Sequence, residues 1–267
     1  MKLSTLNKRR LNNFIKNKRG LYSFWIFTFL FLISLFANFI ANEKPLLLKF
    51  NSEFYFPIFQ SYPETIFGGD FETEADYKDP YVINLIEEDG WIIMPIIPFS
   101  YNTIIRDMEA PAPSAPSVKN WLGTDDQARD VLARLIYGFR ISILFGFTLT
   151  FFSMIIGVSA GAVQGYFGGK TDLIFQRFME IWSAIPTLYV LIILASVIQP
   201  NFWWLLIILL LFSWMGYVGV VRAEFLRARN FDYIRAAKAL GVSNSVIMFR
   251  HLLPNATVAT ITFLPFS

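Results

Sequence analysis

The chain has 267 residues, no cysteine and one histidine; 55% of its residues are hydrophobic, 18% are aromatic, and the mean hydropathy is +0.47. That apolar fraction exceeds what a soluble domain carries, so lipid is the expected solvent. A disulfide framework and a thiolate metal site are excluded, and a lone His251 leaves no Ser-His-Asp group or metal cluster to propose. The formal net charge of +3 is small, and its sorting along the chain carries more information than its sum.

Residues 1–20 hold Lys2, Lys8, Arg9, Arg10, Lys16, Lys18 and Arg19 without an acid, and residues 21–42 carry no charge. This reads as a basic cytoplasmic N-terminus and a first transmembrane helix. A signal peptide is the alternative, but the apolar run is long for an h-region and no A-x-A precedes Asn42. Residues 43–139 are expected on the outer side as a segment that ends in an interfacial helix. Their first part is acidic (Glu72, Glu74, Asp76, Asp79, Glu87, Glu88, Asp89) and lacks helical period, which predicts a small irregular or β-containing element with an ordinary solvated surface. Ala110 to Pro116 alternates Ala and Ser with Pro and predicts a stiff polyproline-type connector. After it, Thr124 or Asp125 is placed to cap an amphipathic helix bearing Val131, Leu132, Leu135 and Ile136.

The core, residues 140–267, is expected to contain spans at about 140–165, 178–198 and 202–221 and an unfinished one at 255–267, each judged against the roughly 20 apolar residues needed to cross a bilayer. A terminal carboxylate inside the hydrocarbon is costly, so the native chain is expected to continue past Ser267. Gly157, Gly161 and Gly165 recur every four residues and predict a helix-packing seam. Gly168-Gly-Lys-Thr171 evokes a phosphate loop, but Gln164 stands where that loop needs its first glycine and no strand precedes it; a tight turn is the better reading. Arg177 and Glu180 are spaced to pair on a helix or to meet neighbouring helices. Arg222, Arg227, Arg229, Arg235, Lys238 and Arg250, against Glu224 and Asp232, assign the 222–254 loop to the cytoplasm.

Within that loop, Tyr233-Ile-Arg-Ala-Ala-Lys-Ala-Leu-Gly241, nine residues, then His251-Leu-Leu-Pro254 resembles the segment that ABC importer permeases present to their ATPases. Ala236, Ala237, Gly241, Leu253 and Pro254 fall on the family pattern; Arg235 replaces its glutamate, and His251 replaces its isoleucine, as in the peptide-transport branch. Gly123, Thr124, Asp125, Arg129, Asp130 and Arg140 resemble a second motif of the peptide and nickel importers, with Ala128 in place of a glycine. Gly168, Gly169, Asp172 and Pro186 resemble a third, and the N-terminal region is similar to a subgroup associated with oligopeptide and microcin C-type uptake.

The resemblance implies an all-α polytopic transmembrane protein of the type I, MetI-like ABC importer permease fold. It implies a bacterial inner-membrane subunit without catalytic, metal-binding or cofactor-binding residues, working with a homologous second permease, two ABC ATPase domains that use ATP and Mg, a solute-binding protein and a peptide substrate, and with no nucleic acid. Two rivals remain: a secondary transporter, disfavoured by uncharged spans, and a membrane-anchored extracytoplasmic binding or scaffold protein working through residues 43–120.

Overall fold

The computed structural model describes residues 5–108, 110–199, 201–254 and 256, so the expected span at 255–267 lies outside the described residues apart from Ala256. The chain divides into two compact units, residues 1–143 and 144–267.

In the first unit, α1 (Thr5–Lys16) is followed by α2 (Lys18–Leu35) and the short α3 (Ala37–Ile40). The break between α1 and α2 is Asn17, at φ −79° and ψ 86°, whose side chain accepts from the Gly20 N–H and caps α2. The next residues fold into a small sheet of β1 (Leu47–Phe50), β2 (Glu53–Tyr55) and β3 (Gly90–Ile93), antiparallel in the order β2-β1-β3. Asn51 and Ser52, both at positive φ, form the two-residue hairpin turn between β1 and β2. α4 (Pro80–Asp89) begins with Asp79 accepting from the Tyr81 N–H and Pro80 in the first turn, where its missing N–H costs nothing. Leu48 and Phe50 from the sheet, Val82 and Ile86 from α4, and Phe67 and Tyr77 make a closed core. Phe67 meets the rings of Phe50, Tyr55 and Tyr77 edge-on at 5.4–6.0 Å. The sheet and α4 thus give regular structure to a segment whose sequence has little visible period.

The 110–116 connector is not a free spacer. Ser114 donates its N–H to Thr124 Oγ1 at 3.0 Å, and the Thr124 N–H returns a bond to the Ser114 carbonyl at 3.1 Å. A Cβ on Gly123, already at φ +73°, would overlap that carbonyl.

α5 runs unbroken from Val131 to Phe167, with its first turns in the first unit and the rest in the second. The expected interfacial helix is therefore not a separate element: nothing between Ile136 and Ile141 breaks the backbone, and its residues form the first turns of α5. α6 (Gly169–Ser183) and α7 (Thr187–Val197) bend by 60° about Ala184–Pro186, where Pro186 cannot continue the helix before it. α8 (Phe202–Ser213) and α9 (Met215–Ala228) run on almost without interruption, and the Asn201 side chain caps α8 through the Trp204 N–H. By length and apolarity, Lys18–Leu35, Val131–Phe167 and Phe202–Ala228 can each cross a bilayer, and the bent α6–α7 pair makes a fourth if it is one span. α10 (Asp232–Ala239), α11 (Asn244–Val246) and a π-helical turn (Ile247–Leu252) follow.

Candidate functional site: an elbow seated on a glycine seam

α5 and α9 meet along Gly157, Gly161 and Gly165. A Cβ on Gly157 would overlap the Trp214 carbonyl oxygen; one on Gly161 would lie 2.8 Å from the Val218 oxygen; one on Gly165 would lie 2.5 Å from Phe225 Cβ. The two backbones are therefore in direct contact, which only side-chain-free positions allow.

Two arginines of the basic 222–254 stretch, Arg222 within α9 and Arg229 just after it, secure the end of this seam. Arg222 on α9 grips Asp172 on α6 through two parallel bonds of 2.5 and 2.6 Å, the fork geometry that a guanidinium offers a carboxylate. Arg229 Nη1 reaches the Gly165 and Tyr166 carbonyls at 3.4 Å and so serves the last turn of α5. Gly168 sits beside that guanidinium at φ +62°, so the Gly168–Gly169 pair is a tight turn that leaves room for an arginine. Both arginines were counted in the sequence only as topology charges. The Gly-Gly-x-x-Asp spacing was the one local signal of Asp172, the partner of Arg222. Arg177 and Glu180 pair with each other at 2.6 Å on the exposed side of α6.

The elbow begins at α10. Gly241 lies at φ +75°, its N–H bonds the Lys238 carbonyl, and the Val242 N–H bonds the Ala237 carbonyl. This is a Schellman ending, and it needs a residue at ease in the left-handed region. Ile234, Ile247, Met248 and Leu252 are buried against Ala162, Tyr166, Val221 and Phe225, with Ala237, Val242 and Leu253 packed around them. Tyr166 donates its hydroxyl to Asn244 Oδ1 at 2.6 Å, and Lys238 Nζ stands 4.7 Å over the Tyr166 ring. One face of the elbow is thus fixed to the ends of α5 and α9. The π-helical turn ends two residues before Pro254, which has no N–H to return to the Arg250 carbonyl.

The opposite face is open. Arg235, Ala236, Gly241 and Pro254 are exposed, and Ala237, His251 and Leu253 are half-buried. Leu240 is 83% exposed, and Tyr233 and Phe249 are also exposed. These three apolar residues were not singled out from the sequence; their signal was an apolar side chain in a charged, non-spanning stretch.

The motif before α5 is a different construction. Asp125 accepts from the backbone N–H groups of Gln127 and Arg129 and from both Arg129 Nε and Arg134. Burial pushes its carboxyl up, but those donors outweigh burial and hold it well below the ordinary carboxylate range. The α5 cap is Asp130 rather than Thr124 or Asp125: buried Asp130 accepts from the Ala133 N–H at 2.7 Å and from Asn120 Nδ2 at 2.8 Å. Thr124 is instead committed to Ser114, and Asp125 to its own turn. Arg140 lies 4.9 Å over the Tyr137 ring and reaches Asn38, while the Tyr137 hydroxyl bonds the Ala41 carbonyl at 2.8 Å. Gly123, Thr124, Asp125, Arg129, Asp130 and Arg140 thus tie the start of α5 to the segments before it.

Helices long and apolar enough to span a bilayer, two of them locked backbone to backbone and followed by an elbow with an exposed apolar face, define a polytopic membrane protein. Residues 131–267 match the family described as binding-protein-dependent transport system inner membrane component, and residues 5–60 match the N-terminal TM domain of oligopeptide transport permease C. The chain belongs to the first of these families and is a permease of the ABC importer class. It is 56% identical to the inner membrane ABC transporter permease protein YejE of Escherichia coli, over 99% of this chain and 78% of the relative. It is 54% identical to the peptidoglycan transport system permease protein YejE of Agrobacterium fabrum, over 98% and 75%. It is 35% identical to the oligopeptide transport system permease protein OppC of Haemophilus influenzae, over 66% and 55%. Family membership favours a transporter over a membrane-anchored scaffold.

Proposed function

We propose that this permease imports oligopeptides or peptide-like compounds, the class for which its oligopeptide, dipeptide and peptidoglycan transport relatives are named. In this reading it pairs with a homologous second permease, two ATPase domains bind at the cytoplasmic side, and a solute-binding protein delivers substrate outside. ATP and Mg belong to the ATPase chains, and this chain needs no cofactor. The basic flanks before α2 and after α9 support a cytoplasmic N-terminus and elbow.

The observation that carries the proposal is the two-faced elbow: Ile234, Ile247 and Leu252 fixed below, Tyr233, Leu240 and Phe249 open above. ATPase closure against the open face shifts α5 and α9 together and changes which side the path faces. Arg235, Ala236, Ala237, Gly241, His251, Leu253 and Pro254 are coupling residues in this scheme, not catalytic ones.

The test is to express the gene with its chromosomal neighbours, purify the subunit in mild detergent, and assay ATP hydrolysis by what accompanies it. A second permease and ATPases whose hydrolysis rises with peptide-loaded binding protein is the expected result. Purification alone from several detergents, with no ATPase bound, would overturn it.

A further inference from the structure

α1 is a basic helix whose described apolar residues are exposed. Leu11, Phe14 and Ile15 stand at i, i+3 and i+4, share one face and are all exposed. Lys8, Arg9, Asn12, Asn13 and Lys16 occupy the remaining circumference, and all are exposed. Among the described residues, none forms an ion pair with Lys8, Arg9, Lys16, Lys18 or Arg19.

The chain turns at the non-helical Asn17, so α1 leaves the axis of α2 at the point where that span begins. The Phe14 ring packs edge-on against Phe24, 5.9 Å away and itself exposed in the second turn of α2. Phe14 is thereby held at the level of the span's lipid-facing side chains.

We infer that α1 lies in the membrane surface from which α2 enters and binds anionic lipid headgroups through Lys8, Arg9 and Lys16. Charge complementarity selects the occupant: residues 1–20 carry seven cations and no acid, and an anionic leaflet attracts each cation near its surface. That this leaflet is the cytoplasmic one rests on the orientation proposed above.

The absence of cysteine allows a direct test. Ile15→Cys and Asn13→Cys, each nitroxide-labelled, are reconstituted with the partner subunits in phosphatidylcholine vesicles with and without about one-third phosphatidylglycerol. The label at 15 is expected to enter the oxygen-rich, water-poor zone in anionic vesicles and to leave it at high salt, while the label at 13 stays in water. Neutralising K8Q/R9Q/K16Q, with Lys18 and Arg19 kept to preserve topology, should lower the docked-to-free ratio about a hundredfold at three cations. Equal immersion with and without anionic lipid overturns the inference. So does shielding of position 15 that requires the ATPases and ignores lipid charge, which would give the face to a protein. An impermeant thiol reagent on Asn13→Cys in intact cells reports the side of the membrane separately, so a wrong orientation and a failed lipid contact are distinguishable.

Discussion

Ala128 sits at φ +58°, in the left-handed region that an L side chain occupies at a cost of about 1–2 kcal/mol. It turns the chain so that Asp125 can accept from Arg129, which shows why the related motif carries glycine here. Ala128→Gly should therefore stabilise the protein by roughly 0.5–1 kcal/mol after the extra entropy of glycine in the unfolded chain is subtracted, read as a higher thermal midpoint in detergent. A lower midpoint would contradict the assigned strain. Asp125 itself has a depressed folded pKa, so its ionised form stabilises the turn at all pH values above the unfolded value of about 4. That contribution fades as pH falls through the folded value. The stability gap between the wild type and Asp125→Asn should be constant from about pH 5 to 7 and should narrow below about pH 4. A gap that closes toward neutrality would sink the assignment.

Among the helices, the contact of α5 with α9 makes a graded prediction. Gly157→Ala puts a methyl onto the Trp214 carbonyl, which as backbone cannot swing aside, and should cost about 1–3 kcal/mol in detergent unfolding. Gly146→Ala on the same helix meets nothing within 4 Å and should cost nothing, with a gain of up to about 0.5–1 kcal/mol from helix propensity. Similar losses at both positions would show that the close approach to α9 is not what the substitution measures, because helix propensity alone favours alanine at each. For α10 the space around Gly241 is open, so only its dihedral angle constrains substitution. Gly241→Asn, which tolerates positive φ, should keep substrate-stimulated ATP hydrolysis, and Gly241→Val should lose most of it while still inserting. Loss in both variants would point to a contact at Gly241 instead of its conformation.

These elements differ in how legible they were. A span announces itself by the absence of charge, and the seam and the Schellman glycine by local spacing, because each depends on residues close in sequence. The sheet of the first unit was not legible beyond its β character, since Lys49 pairs with Phe54 on one side and with distant Trp91 on the other. Asp130 as the α5 cap was obscured by Thr124 and Asp125, equally good capping types whose side chains are committed elsewhere. The Asp172–Arg222 pair joins residues fifty positions apart, and no local pattern distinguishes Arg222 from its basic neighbours.

At the scale of the whole transporter, that pair is the testable tie between α6 and α9. In a double-mutant cycle with Asp172→Asn and Arg222→Met, the coupling energy should be about 1–3 kcal/mol, because both groups are partly shielded and the bonds are paired. Additive effects would show that the two side chains act separately. The same cycle read by uptake assigns the tie a role in transport if coupling exceeds that seen in stability.

The backbone-to-backbone seam has a mechanical consequence. Long side chains between two helices act as springs, since each rotamer change absorbs part of a displacement, but Gly157, Gly161 and Gly165 leave no such compliance between α5 and α9. Displacement of one helix along the 157–165 stretch therefore carries the facing turns of the other with little attenuation. Yielding is left to the 60° joint at Ala184–Pro186, where the chain has already given up helical continuity.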